Sequence, residues 1–164
     1  ISYKKIVLVL SPHFFIMSLA LSSYSHGSFH TTGKVYHVTF AGLAQEMQTI
    51  WDEVKTTNFP MTIQEVEHPG LHAVYFNMSD TGFDMLIGLM TKEWAAQTNP
   101  ELTTLEIPAQ DYRYAEFEFS GPEAVSLAWQ QVNAVSREEL PRKFGYDLEM
   151  YSEDLKKFTI AVSV

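Results

Sequence analysis

The chain has 164 residues, which suits one domain that buries roughly two-thirds of its unfolded surface and is too short for two of ordinary size. We therefore expect a single domain over residues 1–164. Eleven basic and twenty acidic side chains give a net charge of −9, which repels phosphate backbones, so direct nucleic-acid binding is not expected. Cys is absent, which excludes disulfides, thiolate zinc sites and Cys nucleophiles and fits a cytoplasmic protein.

The first segment permits two interpretations. Residues 4–25 begin with basic residues, continue through an apolar middle and end in small residues, as a secretory signal does. Pro12 divides the apolar run, however, and neither half approaches the ~20 residues of a membrane span. We expect two buried strands, residues 6–10 and 14–22, with no membrane interaction, and then a polar loop over residues 23–33.

The middle of the chain predicts a helix and a hairpin. Residues 35–40 are a possible strand, and residues 44–55 form an amphipathic helix that Asn58 and Pro60 end. Its apolar stripe at i, i+3, i+4 and i+7 consists of Met47, Ile50, Trp51 and Val54. Strands are expected at residues 63–66 and 71–78, separated by a turn at 68–70, and at 83–92 after a hairpin connection at 79–82.

The last third predicts two further strands around a second helix. After a strand that enters Pro108, residues 112–119 alternate, and the face that carries Phe117 and Phe119 is expected in the core. Ser120 and Glu123 have the spacing of a capping box, and the helix runs to about residue 135 with Trp129 in its apolar stripe. Residues 147–151 and 158–164 are expected to be strands.

The two halves share one order of elements. Residues 7–12 correspond to residues 104–108, and the helix around Trp51 corresponds to the helix around Trp129. This order predicts an α+β fold in which two pseudo-symmetric strand-helix-strand units form a mainly antiparallel sheet, with two flanking helices and a central ligand cleft.

Short segments distributed from about residue 6 to residue 164 also match a known family in order and spacing. They are VLSP at 9–12, FIMSL at 15–19, EM at 46–47 with Trp51, AVYF at 73–76, FDMLIG at 83–88, LEIPA at 105–109 with Tyr112, Gly121 before the Trp129 helix, and LP at 140–141 through GY at 145–146 to LEMY at 148–151. The sequence resembles the effector-binding domain of AraC-type and MerR-type transcription activators and of the stand-alone gyrase-inhibitor-like proteins. The resemblance implies two such units around a pocket for lipophilic, often cationic, small molecules. The sequence departs from the family in two ways. It has no helix-turn-helix module, which the family's regulators carry, and its segment over residues 23–40 is longer than the family pattern.

Glu149 is the candidate ligand-binding carboxylate. On a strand it shares a face with Asp147 and Tyr151, and this alternation alone permits either a solvated surface position or a place in the cleft. The resemblance implies the cleft, with Glu149 as the counter-charge for a cationic ligand in a wall of aromatic rings. The candidate ring residues are Trp51, Tyr75, Phe83, Tyr112, Trp129 and Tyr151. For the two Trp residues, ordinary packing of a helix on the sheet is the alternative role.

Other functions remain open at this point. A small-molecule hydrolase on the same fold would use Glu149 with Tyr151 or Tyr112 as base and acid. A protein-binding inhibitor of the gyrase-inhibitor type, a homodimer and a separate regulatory partner protein are the other candidates. His26 and His30, like His68 and His72, have i, i+4 spacing without a third ligand, so no metal site is expected, and no cofactor is expected.

Overall fold

The computed structural model describes residues 19–164. The strand expected at residues 6–10 and most of the one expected at 14–22 lie outside the described residues. Within them the chain forms eight strands, two α-helices and a short 3-10 helix at Phe59–Thr62. The elements are β1 (Ser22–His26), β2 (Phe29–Thr39), α1 (Leu43–Thr57), β3 (Val66–Phe76), β4 (Gly82–Thr91), β5 (Thr103–Ile107), β6 (Gln110–Glu118), α2 (Pro122–Ala134), β7 (Asp147–Tyr151) and β8 (Lys157–Ser163).

The eight strands form one antiparallel sheet in the order β1-β6-β8-β7-β3-β4-β2-β5. Both helices pack on one face, where α1 buries Ile50 and Val54 and α2 buries Ala128 and Val132 against strand residues. The sheet curls into a half-barrel, and its other face carries a second apolar cluster to which neither helix of residues 19–164 contributes. We call these two surfaces the helix face and the open face.

The predicted pseudo-symmetry is confirmed in the topology. The units β1-β2-α1-β3-β4 and β5-β6-α2-β7-β8 meet where β3 pairs with β7 in the middle of the sheet. Each unit also gives its first strand to the other, because β1 pairs with β6 and β5 pairs with β2. Residues 7–12 are not described, and among the described strands the topological counterpart of β5 is β1.

Both predicted helices are confirmed, but the predicted cap of the second is wrong. Asn58 ends α1 in the left-handed conformation, with φ 49°, and donates its backbone N–H to the Val54 carbonyl. Gly121, with φ 131°, precedes α2 and no side chain caps that helix. Ser120 and Glu123 therefore do not form a capping box.

The polar loop expected over residues 23–33 is wrong as well, since this segment forms β1 and the first half of β2. Thr31 and Thr32 are fully buried there, and the Thr32 hydroxyl lies 2.8 Å from that of Thr91 and 2.7 Å from that of Thr104. Hydroxyl groups that bond to one another across strands allow Thr, a good strand former, to occupy the interior.

Of the strand expected at residues 63–66 only Val66 is in a strand, and it continues into the second expected strand without the turn expected at residues 68–70. β3 runs through Pro69 and Gly70, and its pairing with β4 shifts register on both sides of His68. The Pro-Gly pair therefore marks an irregularity within the strand rather than a turn. Within residues 19–164, no helix is long and apolar enough to cross a membrane.

Candidate functional site

Glu149 lies in the middle of the sheet, beneath the helices. It is the central residue of β7, directly opposite Ala73 of β3 on one side and Ile160 of β8 on the other. Its side chain is on the helix face with Tyr151, as alternation along the strand requires. Glu149 is 0% exposed. This is an uncommon position for a carboxylate, because a buried charge carries a desolvation cost of several kcal/mol unless it is paired.

Three side chains from three different elements donate hydrogen bonds to this carboxylate. The Tyr75 hydroxyl of β3 lies 2.9 Å from Oε2, and the Trp129 indole Nε1 of α2 lies 2.7 Å from the same oxygen. The Tyr151 hydroxyl of β7 donates to Oε1. No Lys, Arg or His within residues 19–164 forms an ion pair with Glu149. The protein thus surrounds the carboxylate with neutral donors and no cation.

Burial dominates the electrostatics of the site. It raises the pKa of Glu149 above its ordinary value of 4.5, although the three donated hydrogen bonds oppose this by favouring the ionised form. Burial and the neighbouring carboxylate raise the pKa of both Tyr75 and Tyr151 well above 10. Both phenols therefore stay protonated at neutral pH and remain hydrogen-bond donors.

Aromatic rings enclose the carboxylate in a nearly two-fold arrangement. Tyr75 and Tyr151 each follow two residues after the paired positions Ala73 and Glu149. The Tyr75 ring meets Trp129 edge-on with centroids 5.1 Å apart, and the Tyr151 ring meets Trp51 edge-on at 5.8 Å. Each tyrosine thus contacts the tryptophan that belongs to the other unit.

The structure brings together most of the residues that the sequence singled out. Glu149 is in direct contact with Tyr75, Trp129 and Tyr151. Trp51 packs against the Tyr151 ring. Phe83 is the next ring outwards, 5.5 Å from Tyr75 by centroids.

Tyr112 is not part of this cluster. It lies in β6, and the register through β8 puts it on the open face with Leu148, because Tyr114 and Leu148 both pair with Ala161. There it stacks on Tyr24 at 5.1 Å and joins the second apolar cluster. Tyr112 and Glu149 project from opposite faces of the sheet and cannot act on the same molecule as an acid-base pair.

Arg142, which sequence reasoning missed, supports Trp129 from outside the cluster. Its guanidinium forms a 2.5 Å ion pair with the buried carboxylate of Asp147 and donates a 2.7 Å hydrogen bond to Asn133 of α2. It also lies 5.9 Å from the centroid of the Trp129 ring. Arg142 is in an irregular segment without periodicity, so no pattern in the sequence connects it with Asp147 or Trp129.

The cluster is closed in this structure. A groove between β2 and α1 is lined by Tyr36, Glu46 and Ile50, and a small cavity lies on the open face, so both are away from Glu149. A molecule that reached Glu149 would have to separate the rings of α1 and α2 from the sheet. The half-buried Trp129 is the donor nearest to solvent, since Tyr75 and Tyr151 are both buried.

Known proteins resemble this chain in two ways, through a family model that matches its sequence and through solved structures that share its fold. A family model described as integron-associated effector binding protein matches residues 28–163. No curated protein matches the sequence. Among the solved structures that share the fold, three serve for comparison. SAV2435 bound to tetraphenylphosphonium has a TM-score of 0.74 at 13% identity, over 89% of this chain and 94% of that one.

The second is an integron cassette protein, VCH_CASS2, from the mobile metagenome of Vibrio cholerae, with a TM-score of 0.69 at 20% identity over 88% of this chain and 95% of that one. The third is EcmrR in complex with DNA, with a TM-score of 0.55 at 10% identity over 90% of this chain and 57% of that one. At these identities the structural likenesses establish the fold alone.

Proposed function

The chain belongs to the family of integron-associated effector binding proteins, and on that premise we propose that it binds a hydrophobic organic cation with Glu149 as the counter-ion. The observation that carries this proposal is the fully buried carboxylate that has three neutral donors, a ring-lined surrounding and no cationic partner among the described residues. A ligand would supply the positive charge that the site lacks.

The chemistry of the surroundings favours an organic cation over a metal ion. A hydrated metal ion would lose its water shell against aromatic rings, whereas a delocalised or quaternary cation is weakly hydrated and gains roughly 0.5 to 2 kcal/mol from each well-placed ring face. With a charge separation of about 6 Å and an effective dielectric constant of about 20, its attraction to Glu149 is about 3 kcal/mol.

Tetraphenylphosphonium is a suitable probe, since SAV2435, which shares the fold, has been solved bound to it. We expect it to quench Trp fluorescence in a saturable titration, because Trp51 and Trp129 border the site. Tetraphenylborate, an anion of the same shape, should bind much more weakly. Comparing the two ions separates the contribution of charge from that of hydrophobic area.

The decisive variant is Glu149→Gln, which keeps the shape and removes the charge. Loss of about 3 kcal/mol corresponds to affinity for tetraphenylphosphonium weakened about a hundredfold. The matched control is Glu118→Gln at an exposed position of β6, which makes the same change in net charge and should leave the affinity unaltered. Equal affinity of Glu149→Gln and the wild type would contradict the proposal.

We propose no enzymatic activity. The hydrolase hypothesis paired Glu149 with Tyr151 or Tyr112 as base and acid. Tyr112 lies on the open face, and the hydroxyl of Tyr151 donates a hydrogen bond to Glu149. Effector binding needs neither group to exchange a proton with the ligand.

A further inference from the structure

A small cavity lies on the open face, where the connection between β1 and β2 crosses the curled sheet. Its volume is about 30 Å³, the share of one water molecule in the liquid and room enough for a single ion. It is lined by Tyr24, His26, Phe29, His72, Met90, Leu148 and Met150.

The strand register explains why two thioethers border this cavity. Met150 of β7 lies directly opposite His72 of β3, which in turn lies opposite Gly88 of β4. Gly88 has no side chain to project over His72, and β2 lies so close that a Cβ there would be 1.9 Å from the Thr32 carbonyl oxygen. Met90, two residues along β4 on the same face, lines the cavity, and flexible Met side chains can adapt to its shape.

The last residue of β1 adds an imidazole. The His26 ring packs edge-on against Phe29 with centroids 4.8 Å apart. Its Nδ1 lies 2.6 Å from the Gly27 carbonyl oxygen, an acceptor, so Nδ1 carries the proton and Nε2 keeps its lone pair. A backbone bond of this kind to one ring nitrogen is the usual way in which a metal-binding histidine is oriented. The His72 ring is already bonded to the Thr31 hydroxyl and forms the floor of the cavity.

These donors have a definite preference among metals. Thioethers are soft ligands that select Cu(I), imidazole is compatible with copper, and none of the lining residues is a carboxylate, which Mg²⁺, Ca²⁺ and Mn²⁺ would need. All three donor groups are uncharged, so a monovalent ion brings less charge into this largely apolar cavity than a divalent one. Residues 19–164 contain no cluster of three His, Cys, Asp or Glu arranged for a metal, so the thioethers are essential to the set.

We propose that this cavity is a binding site for one monovalent soft metal ion, Cu(I) or its redox-inert analogue Ag(I), held by His26 Nε2 and the thioethers of Met90 and Met150. The site lies on the opposite face from Glu149. It does not depend on the function proposed for that residue.

The test is anaerobic competition for Cu(I) against bicinchoninate, with Ag(I) titration as a second probe. The wild type should bind one Cu(I) per chain, and Met90→Leu and Met150→Leu should each weaken binding at least tenfold, since Leu replaces the thioether at similar volume. Met61→Leu is the matched control, because Met61 is 77% exposed and lies elsewhere, and it should have no effect. Glu149→Gln should also bind Cu(I) normally.

X-ray absorption of the Ag(I) form should show sulfur neighbours in the wild type and none in the Met90→Leu/Met150→Leu double variant. Thermal unfolding of each variant establishes that it is folded. Should a Met variant fail to fold, His26→Ala replaces it, with the same expected loss of Cu(I). The proposal is overturned if the folded double variant binds Cu(I) as tightly as the wild type, or if the wild type fails to bind one equivalent.

Discussion

The Tyr75→Phe substitution tests the buried hydrogen-bond arrangement most directly. It removes one hydroxyl and leaves the ring in its edge-on contact with Trp129. The hydroxyl donates to Glu149 at 2.9 Å, and both residues are buried, so water cannot replace the lost donor without opening the cluster. A hydrogen bond to a charged group contributes roughly 1.5 to 3 kcal/mol to stability, and we expect a loss of about 2 kcal/mol at neutral pH.

The assay is urea unfolding followed by circular dichroism and Trp fluorescence. In thermal unfolding, a loss of about 2 kcal/mol corresponds for a chain of this size to a melting temperature lower by roughly 4 to 8 °C. In a Glu149→Gln background the hydroxyl meets a neutral amide oxygen, for which a hydrogen bond contributes only about 1 kcal/mol. The cost of Tyr75→Phe should therefore fall by about half in that background, which a double-mutant cycle measures.

Tyr146→Phe is the control, since Tyr146 is half-buried on the open face and stacks on Phe76, and its hydroxyl makes no hydrogen bond to Glu149. We expect it to change stability by less than about 0.5 kcal/mol. Two outcomes would refute the reasoning. One is that Tyr75→Phe costs no more than Tyr146→Phe, and the other is that its cost is the same with Glu149 and with Gln at position 149.

Two further predictions concern stability. Burial raises the folded-state pKa of Glu149 above its unfolded value of about 4.5. The contribution of this carboxyl group to the free energy of unfolding is therefore most favourable below the unfolded pKa and is lost as the pH rises through the folded pKa. As a result, the free energy of unfolding of the wild type minus that of Glu149→Gln should fall between pH 4 and pH 8. A constant or rising difference in paired urea titrations would contradict this. Arg142→Met should destabilise the protein by about 3 kcal/mol, because it leaves the 2% exposed Asp147 without its cation, and the melting temperature should recover in the double variant with Asp147→Asn. Failure of that second substitution to recover stability would show that Arg142 acts mainly through its contacts with Trp129 and Phe144.

Hydrophobic periodicity was sufficient for the two helices and for the strands from β4 to β8. The stripe through Ile50 and Val54 and that through Ala128 and Val132 are the buried sides of α1 and α2. Periodicity failed where polar residues are satisfied by partners far away in the chain. Thr31 and Thr32 suggest a loop by composition, and residues of β3, β4 and β5, distant in the chain, supply the partners that make them interior residues.

The candidate site was predictable to a similar degree. Alternation correctly placed Glu149 and Tyr151 on one face, but burial could not be deduced, because the donors Tyr75 and Trp129 are 74 and 20 residues away. Tyr112 was included because it is aromatic and close to the family pattern. Its exclusion depends on the register of β6 with β8, which the sequence does not encode locally.

The pairing of Ala73 with Glu149 limits the number of charges in the ring-lined cluster to one. The two positions are equivalent under the pseudo-two-fold relation of the units, yet one carries a carboxylate and the other a methyl group. A second carboxylate opposite the first would put two like charges at adjacent positions, and each would raise the pKa of the other. With a single charge beside the axis and nearly equivalent rings on both sides, a monovalent guest with two similar arms could bind in either of two orientations related by a half-turn. Under the function proposed above, such a degenerate site would discriminate among ligands by charge and bulk more than by detailed shape.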